Sequence, residues 1–155
     1  MRYLIDGSNV LGAKGELGCS GSAERLLGNV ERFCRTGHAT SVVVFDGMDG
    51  HRPGRMFRYG ERVWVRIPPA SEQRDRADRE IISLVRRHEG DTVVTSDASL
   101  AGAARALGAG VIDAQAFLRR LTTVTITGSE KDAAATGIDN AELLRLWAAS
   151  TEEPT

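Results

Sequence analysis

The sequence predicts an α/β fold, in which a largely parallel sheet is covered by helices on both faces. The main observation is that short β-branched runs, typical of strands, alternate with longer amphipathic helical periods along the chain. The length of 155 residues and a hydrophobic content of 41% indicate one compact globular domain with its own core. With 20 Lys and Arg against 21 Asp and Glu, the formal net charge is −1, which excludes a uniformly cationic nucleic-acid binder.

Five strands and four helices account for most of the chain. The strands are β-branched runs, and the helices keep their apolar residues on one stripe. The link between residues 45 and 63 has no helical period and is rich in Gly, Arg and Pro, which favours a hairpin-like or extended excursion. The predicted strands cover residues 3–5, 41–45, 63–67, 92–95 and 111–112, and the predicted helices cover residues 22–35, 74–88, 100–107 and 114–121.

The segment after residue 121 has a different character. Residues 122–127 alternate like an edge strand, residues 128–137 are typical of a loop, and a capping-box pattern predicts a short helix over residues 139–149. Acidic residues outnumber basic ones six to two from Ser129 onward. We therefore divide the chain into a domain over residues 1–121 and an acidic appendage over residues 122–155, which either joins the same compact unit or serves as an oligomerisation element.

Several classes of protein are excluded by the absence of their motifs. Cys19 and Cys34 form no C-x-x-C pair, so neither a zinc site nor a redox motif is indicated. Gly7 and Gly12 have the spacing of a P-loop, but the Lys and Ser or Thr of that motif do not follow, so no nucleotide cofactor is expected. We find no signal peptide and no apolar run of about 18 residues, which favours a cytoplasmic protein without a membrane partner.

Aspartates follow the predicted strands at one end of the sheet. Asp6, Asp46 and Asp97 each end a strand, Asp78 lies in the first turns of the helix after the third strand, and Asp113 follows the fifth. Ligands of parallel sheets bind beyond the carboxyl ends of the strands, so these side chains share the edge where a site is expected. Because crowded carboxylates repel one another unless a cation lies among them, the pattern indicates a hard divalent cation.

Some of these aspartates also have a purely structural interpretation as helix N-caps. Asp113 directly precedes a helix, so we expect it to be a cap. Asp97 fits a cap and a functional site equally well, and Asp46 could begin a turn. Asp6 leads into a Gly-rich segment with no helix to cap, and Asp78 lies beside the buried stripe of its helix, so these two favour a functional role most strongly.

Four motifs, in this order along the chain, resemble those of a known family. They are LIDGSNV at residues 4–10, VVVFDG at 42–47, ADREII at 77–82 and VVTSD at 93–97. Together they resemble the NYN domains of the PIN-like nuclease superfamily, in particular the YacP-like branch, over about residues 1–121. The resemblance implies a PIN-like three-layer α/β/α sandwich with a mainly parallel central sheet, and metal-dependent endonucleolytic cleavage of RNA.

The resemblance also implies roles for individual residues. By motif position, the catalytic acids are Asp6, Asp78 and Asp97, which would hold Mg²⁺ or Mn²⁺ with Asp46 as a further acid at the metal. The supporting polar residues are Asn9 and Ser96, to which we add Asp75, one turn before Asp78.

The excursion after the second strand is the expected route for the substrate. Residues 51–66 hold five Arg against one Glu, interleaved with aromatic residues, a combination that suits a single-stranded backbone with stacked bases. Trp64 is expected in the core instead, because it lies in a predicted strand. The predicted RNA-binding residues are Arg52, Arg55, Arg58, Arg74 and Arg76.

Two departures from the family pattern keep an alternative function open. Ser8 stands where YacP-like sequences usually carry an aromatic residue, and Arg76 stands where Ser or Thr is common. The alternative is an RNA-binding module without catalytic activity, and a metal-dependent phosphatase is the third candidate. The expected partners are single-stranded RNA, a ribosome or another RNA-processing partner, and a second copy of the chain.

Overall fold

The computed structural model describes residues 1–48, 50–70 and 75–135 of the chain. Strands and helices alternate along most of these residues, as the β-branched runs and amphipathic periods predict. In chain order the elements are β1 (Arg2–Asp6), α1 (Gly7–Lys14), α2 (Ser22–Thr36), β2 (Thr40–Val44), β3 (Met56–Tyr59), β4 (Val63–Arg66), α3 (Arg76–Arg87), β5 (Asp91–Val94), α4 (Ala98–Ala106), β6 (Gly110–Ile112) and α5 (Ala114–Ala135).

The strands form one six-stranded sheet in the order β3-β4-β2-β1-β5-β6. Neighbouring strands are parallel, except that β3 at one edge is antiparallel to β4. The predicted α/β fold with a mainly parallel sheet is confirmed. The excursion between residues 45 and 63 contains β3 and forms a hairpin with β4, which confirms its predicted hairpin-like character.

Helices cover both faces of the sheet. Residues such as Ile5 and Val43 pack under α1, α2 and α5, whereas Leu4 and Val42 pack under α3 and α4. Successive residues of a strand point to opposite faces, so central strands between two helical layers must be apolar at every position. The three layers therefore place the core on both sides of β1 and leave the strand ends free for polar residues.

Two elements differ from the sequence-based expectation. Residues 7–14 form a helix rather than a Gly-rich loop. Val10 and Leu11 are buried against the core, and this burial compensates for the low helix propensity of glycine. Residues 122–135 continue α5 rather than forming an edge strand and a loop. The hydroxyls of Thr122 and Thr123 donate to carbonyls four residues earlier, which accommodates β-branched residues within a helix.

The continuation of α5 affects the predicted boundary between the domain and the appendage. The boundary that we placed after residue 121 falls within α5, while the helix predicted over residues 139–149 lies outside the described residues. The division into a domain and an appendage therefore stays a prediction.

The hairpin is fastened to the body of the protein by one buried carboxylate. Glu31 of α2 is only 3% exposed, and its two oxygens accept the backbone N–H groups of Glu61 and Arg62 at 3.0 and 3.1 Å. Gly60, with a φ of 65°, lies so close that a Cβ there would be 2.7 Å from the Glu31 carboxyl carbon. A glycine is therefore required at this turn both by its backbone conformation and by the approach of Glu31.

Candidate active site

Asp6 lies at the centre of the carboxyl edge of the sheet, because β1 is flanked by β2 on one side and β5 on the other. Its side chain is only 6% exposed. One carboxylate oxygen accepts the backbone N–H of Asn9 at 3.3 Å, and the other accepts the hydroxyl of Thr95 at 3.4 Å. Asp6 is the N-cap of α1, so the prediction that it has no helix to cap is wrong.

Asp46 follows β2 and Asp78 lies in the first turn of α3, and a contact between these two segments brings both acids to the same edge. The residue that precedes α3, Asp75, has a φ of 65° and makes no side-chain cap. Asp46, which follows β2, accepts the backbone N–H of Ala77 at 3.2 Å instead. A neighbouring strand thus supplies the cap that the helix lacks, and this contact holds the first turn of α3, including Asp78, against the sheet.

Asp97 joins the edge from the far side of β1. It caps α4 by accepting the backbone N–H of Leu100 at 2.9 Å, while its own N–H donates to the hydroxyl oxygen of Thr95 at 3.1 Å. Thr95 therefore contacts Asp6 and Asp97 together. Sequence reasoning missed this residue, although it lies in the VVTSD motif as the last buried position after β5.

Asn9, Ser96 and Asp113 form a second polar chain at this edge. The side-chain oxygen of Asn9 accepts the backbone N–H of Ser96 at 2.7 Å. The hydroxyl of Ser96 donates to Asp113 at 2.8 Å and accepts the N–H of Ala114 at 3.1 Å. Asp113 also accepts the N–H of Gln115 at 2.9 Å, so it caps α5 as expected. The chain ties α1, the loop after β5 and the start of α5 into one framework around the aspartates.

The candidate acids are unfavourably placed as anions. Burial raises the pKa of Asp6 to about 6, and the charges of Asp78 and Asp46 add to the rise. Burial is also the first cause that raises the pKa of Asp78 to about 6, followed by the charges of Asp97, Asp75 and Asp46. No ion pair with a described residue is formed by any of the five acids Asp6, Asp46, Asp75, Asp78 and Asp97. The edge therefore carries unneutralised negative charge.

This edge suits a hard divalent cation by its chemistry, but it is not a complete cage. Within the described ranges, no three His, Cys, Asp or Glu side chains are grouped so that they could hold one metal ion together. The expected joint ligation by Asp6, Asp46, Asp78 and Asp97 is thus not assembled. Mg²⁺ commonly takes one or two carboxylates and keeps several waters. Asp6 and Asp78, whose charges interact across the edge, are two carboxylates that could hold such an ion.

The described members of the predicted RNA-binding group lie on different elements of the fold. Arg55 lies at the carboxyl end of β4, where its carbonyl accepts the N–H of Ile67 at 2.8 Å. Arg76 begins α3 beside the aspartates, and Arg52 is exposed in the loop before β3. Arg74 lies outside the described residues. Of the described members of this group, Arg55 and Arg76 have their backbone positions at the carboxyl end of the sheet.

Arg58 is engaged within the hairpin instead. Its guanidinium donates to the carbonyl of Glu61 at 2.7 Å and lies 5.6 Å from the ring centroid of Trp64. Trp64 is 40% exposed while Phe57 and Tyr59 are buried, so the prediction that Trp64 belongs to the core is wrong. The reason is that α3 packs mainly over β1 and β2 and leaves the flank of β4 uncovered. Phe57 and Tyr59 do not offer the stacking surface that the sequence pattern indicated.

The chain thus has a three-layer α/β/α fold with aspartates at the centre of its carboxyl edge, and comparison with known proteins gives the family. A sequence model described as the YacP-like NYN domain matches residues 3–151, and the chain belongs to this family, which is of a nuclease type. The resemblance of the four motifs is confirmed. The match also continues past residue 121, through most of the segment that the motifs did not reach.

Two solved structures share the fold. The crystal structure of Rae1 (YacP) from Bacillus subtilis matches with a TM-score of 0.65 and 22% identity, over 96% of this chain and 92% of that one. Its W164L mutant matches with a TM-score of 0.63 and 21% identity, over 99% and 94%. None of the curated proteins compared with the chain matches it. Among the described residues, no helix combines the length and apolar character needed to cross a membrane.

Proposed function

We propose that the chain is a metal-dependent endoribonuclease that cleaves phosphodiester bonds of single-stranded RNA. The proposal rests on four acids at the carboxyl edge that have no cationic partner among the described residues. The charges of Asp78 and Asp46 raise the pKa of Asp6, and the charge of Asp97 raises that of Asp78. The family is of a nuclease type, and an RNA substrate is implied by it.

Asp6 and Asp78 are the two residues that we assign to the cation, because their ionised forms have the least compensation from the protein. When bound, Mg²⁺ or Mn²⁺ supplies a water of lowered pKa and neutralises charge that builds on the scissile phosphate. Asp6 is oriented for this by Asn9 and Thr95, which hold one oxygen each. Because both oxygens are fixed, the direction in which Asp6 presents its remaining lone pairs is set before substrate binds.

Asp97 and Asp46 have partly structural roles. One oxygen of Asp97 caps α4, and the other accepts no hydrogen bond among the described residues, so it can accept one from a water or a substrate group. Asp46 uses one oxygen to hold Ala77 and thereby positions Asp78. We assign Asn9 and Ser96 to holding the framework of the site, since their mutual contact joins α1 to the loop that carries Asp97.

A second candidate function, an RNA-binding module without catalytic activity, is favoured by one observation. The described residues do not group three metal-ligating side chains around a common point. If the two carboxylates Asp6 and Asp78 fail to retain a cation, the basic residues around the edge would still bind RNA. Cleavage must therefore be tested directly and separately from binding.

The test is cleavage of a 5′-labelled single-stranded RNA with Mg²⁺, with Mn²⁺ or with EDTA. We expect fragments that carry 5′-phosphate and 3′-hydroxyl ends in either metal, none in EDTA, and a loss of about 100-fold or more in rate for Asp78→Asn. Glu89→Gln is the matched control, because Glu89 is an exposed acid just beyond the other end of α3. Binding without cleavage in either metal would overturn the proposal in favour of the second candidate. Turnover of small phosphomonoesters without RNA cleavage would identify a phosphatase.

A further inference from the structure

The groove between α3 and α4 extends directly from the candidate active site. It encloses about 490 Å³. Asp78 lies at one end, and Ser99 follows the Asp97 cap on the opposite wall. Ile82 and Leu100 contribute an apolar floor, and the polar side chains that line the groove are Asp78, Arg79, Ser83, Arg86, Arg87 and Ser99.

We propose that this groove binds the phosphodiester backbone of the RNA strand on one side of the scissile bond. The inference rests on the proposed function, since it extends the substrate path from Asp78 along α3. Arg79 and Arg86 are seven residues apart, so they lie on one face of the helix and about 10 Å apart along its axis. That spacing lets them contact different phosphates, about one to two nucleotides apart, on a strand that leaves the aspartates.

The arginines that line the groove have no charged partner in the described part of the chain. Arg79, Arg86 and Arg87 are all exposed, and none of them forms a side-chain hydrogen bond or an ion pair with a described residue. By contrast, Arg66 pairs with Glu80 on another side of α3 at 2.8 Å. The cationic wall is thus left unneutralised where it faces the groove, as a polyanion would require.

Helix electrostatics explain only part of this arrangement. Arg86 and Arg87 are in the last turn of α3, where a cation interacts favourably with the helix dipole. Arg79 is in the first turn, where a cation is disfavoured by the same dipole. Arg79 lies in the groove next to Asp78, where a phosphate adjacent to the scissile one would be suitably placed to pair with it. The hydroxyls of Ser83 and Ser99 add hydrogen-bond donors along the same path.

The groove also replaces part of the surface predicted from the sequence. Arg58 of the hairpin is occupied by Glu61 and Trp64, so it is not available in the way that the sequence pattern indicated. Single-stranded nucleic acids are held by basic grooves that follow their backbone, largely without regard to sequence. We therefore expect the α3–α4 groove to contribute affinity that depends on salt and is uniform across RNA sequences.

The test is the affinity of the full chain for a fluorescently labelled single-stranded RNA, measured by anisotropy in EDTA to prevent cleavage. Arg86→Ala/Arg87→Ala is compared with Arg105→Ala/Arg120→Ala, which removes the same charge from exposed positions outside the groove. We expect the groove variant to bind about tenfold more weakly than the control pair. The slope of log affinity against log salt should fall by about 0.7 for each phosphate contact removed.

Two further variants keep the test independent of folding. Arg86→Lys/Arg87→Lys retains the charge and should keep most of the salt slope, and Arg79→Ala should weaken binding without touching the last turn of α3. Equal affinities for the groove variant and the control pair would overturn the inference, as would a loss confined to Arg52→Ala/Arg58→Ala. If binding depends on the groove but no metal supports cleavage, the proposed endoribonuclease function is contradicted and the proposed RNA-binding groove is supported. If RNA is cleaved but binding does not depend on the groove, the endoribonuclease function is supported and the groove is contradicted.

Discussion

Asp6 combines a buried position with a charge that the protein does not compensate. The carboxyl group is removed from water at the end of a central strand and faces Asp78 and Asp46 across the same edge. Two hydrogen bonds, from Asn9 and Thr95, offset only part of this cost. Strained or destabilised groups of this kind are characteristic of functional sites, where stability is given up for reactivity.

The pH dependence of stability follows from the raised pKa of Asp6. In the folded state Asp6 keeps its proton up to about pH 6, whereas in the unfolded chain it loses the proton near pH 4. The folded state therefore binds more protons between these values, and stability falls as the pH rises through this range. We expect Asp6→Asn, which still offers an oxygen to cap α1, to remove this penalty.

The variant should accordingly be more stable than the original protein at pH 8 by up to about 3 kcal/mol, and by much less at pH 4. Thermal denaturation in EDTA at the two pH values measures the difference. The control is Asp113→Asn, because hydrogen bonds from Ser96 lower the pKa of that exposed carboxyl and its removal should give no gain at pH 8. Equal stability of Asp6→Asn and the original protein at pH 8 would contradict the account.

At the scale of elements, α3 is held to the sheet by a cap from another strand. Asp46→Ala removes the acceptor of the Ala77 N–H, which should cost about 1 kcal/mol and loosen the first turn of α3. Hydrogen exchange of the Ala77 amide is the measurement, and exchange should become faster. Asp46→Asn retains an oxygen acceptor and should keep the protection. Unchanged exchange in Asp46→Ala would show that the turn is fixed by other contacts.

The hairpin depends on Glu31 in a comparable way. Glu31→Ala leaves two backbone N–H groups, those of Glu61 and Arg62, without their acceptor beneath the β3–β4 turn. We expect a loss of about 2–4 kcal/mol in the free energy of unfolding, measured by chemical denaturation. Glu24→Ala in the first turn of the same helix should cost only a few tenths of a kcal/mol. Similar losses for the two variants would contradict the role given to Glu31.

The elements also show where sequence patterns stop being informative. Strands and amphipathic helices were predictable because their apolar periods differ and because both faces of a parallel sheet must be covered. The helix α1 was not predictable from the sequence, because two of its eight residues are glycine and its stability comes from tertiary burial of Val10 and Leu11. The continuation of α5 was hidden by alternating threonines, whose hydroxyls bond within the helix.

At the scale of the whole molecule, the topology explains why the acids meet. Asp6, Asp46 and Asp97 were predictable as neighbours because parallel strands end at one edge of the sheet. Asn9 was predicted as a supporting polar residue from its motif position, but the link through Thr95 was not, since it depends on side-chain directions that no periodicity encodes. The exposure of Trp64 was missed for a related reason, because strand membership does not tell which flank of a sheet the helices leave open.

The near-zero net charge of the chain likewise conceals separated charges. The edge around Asp6 and Asp78 is negative, and the groove beside it, with Arg79, Arg86 and Arg87, is positive. A polyanion that approached the acid edge would be attracted by these arginines, and a cation would then be needed between its phosphates and the aspartates. The metal site and the RNA path that we propose both follow from this one charge distribution.

The most direct test of the central claim is a calorimetric titration of the protein with Mn²⁺ at pH 7.5, in the absence of RNA. We predict saturable binding to the original protein and to Glu89→Gln. Binding should weaken by about tenfold or more in Asp6→Asn and in Asp78→Asn, because each removes one of the two carboxylates assigned to the cation. Binding of equal strength in all four proteins, or in none of them, would contradict the claim that Asp6 and Asp78 together hold the catalytic cation.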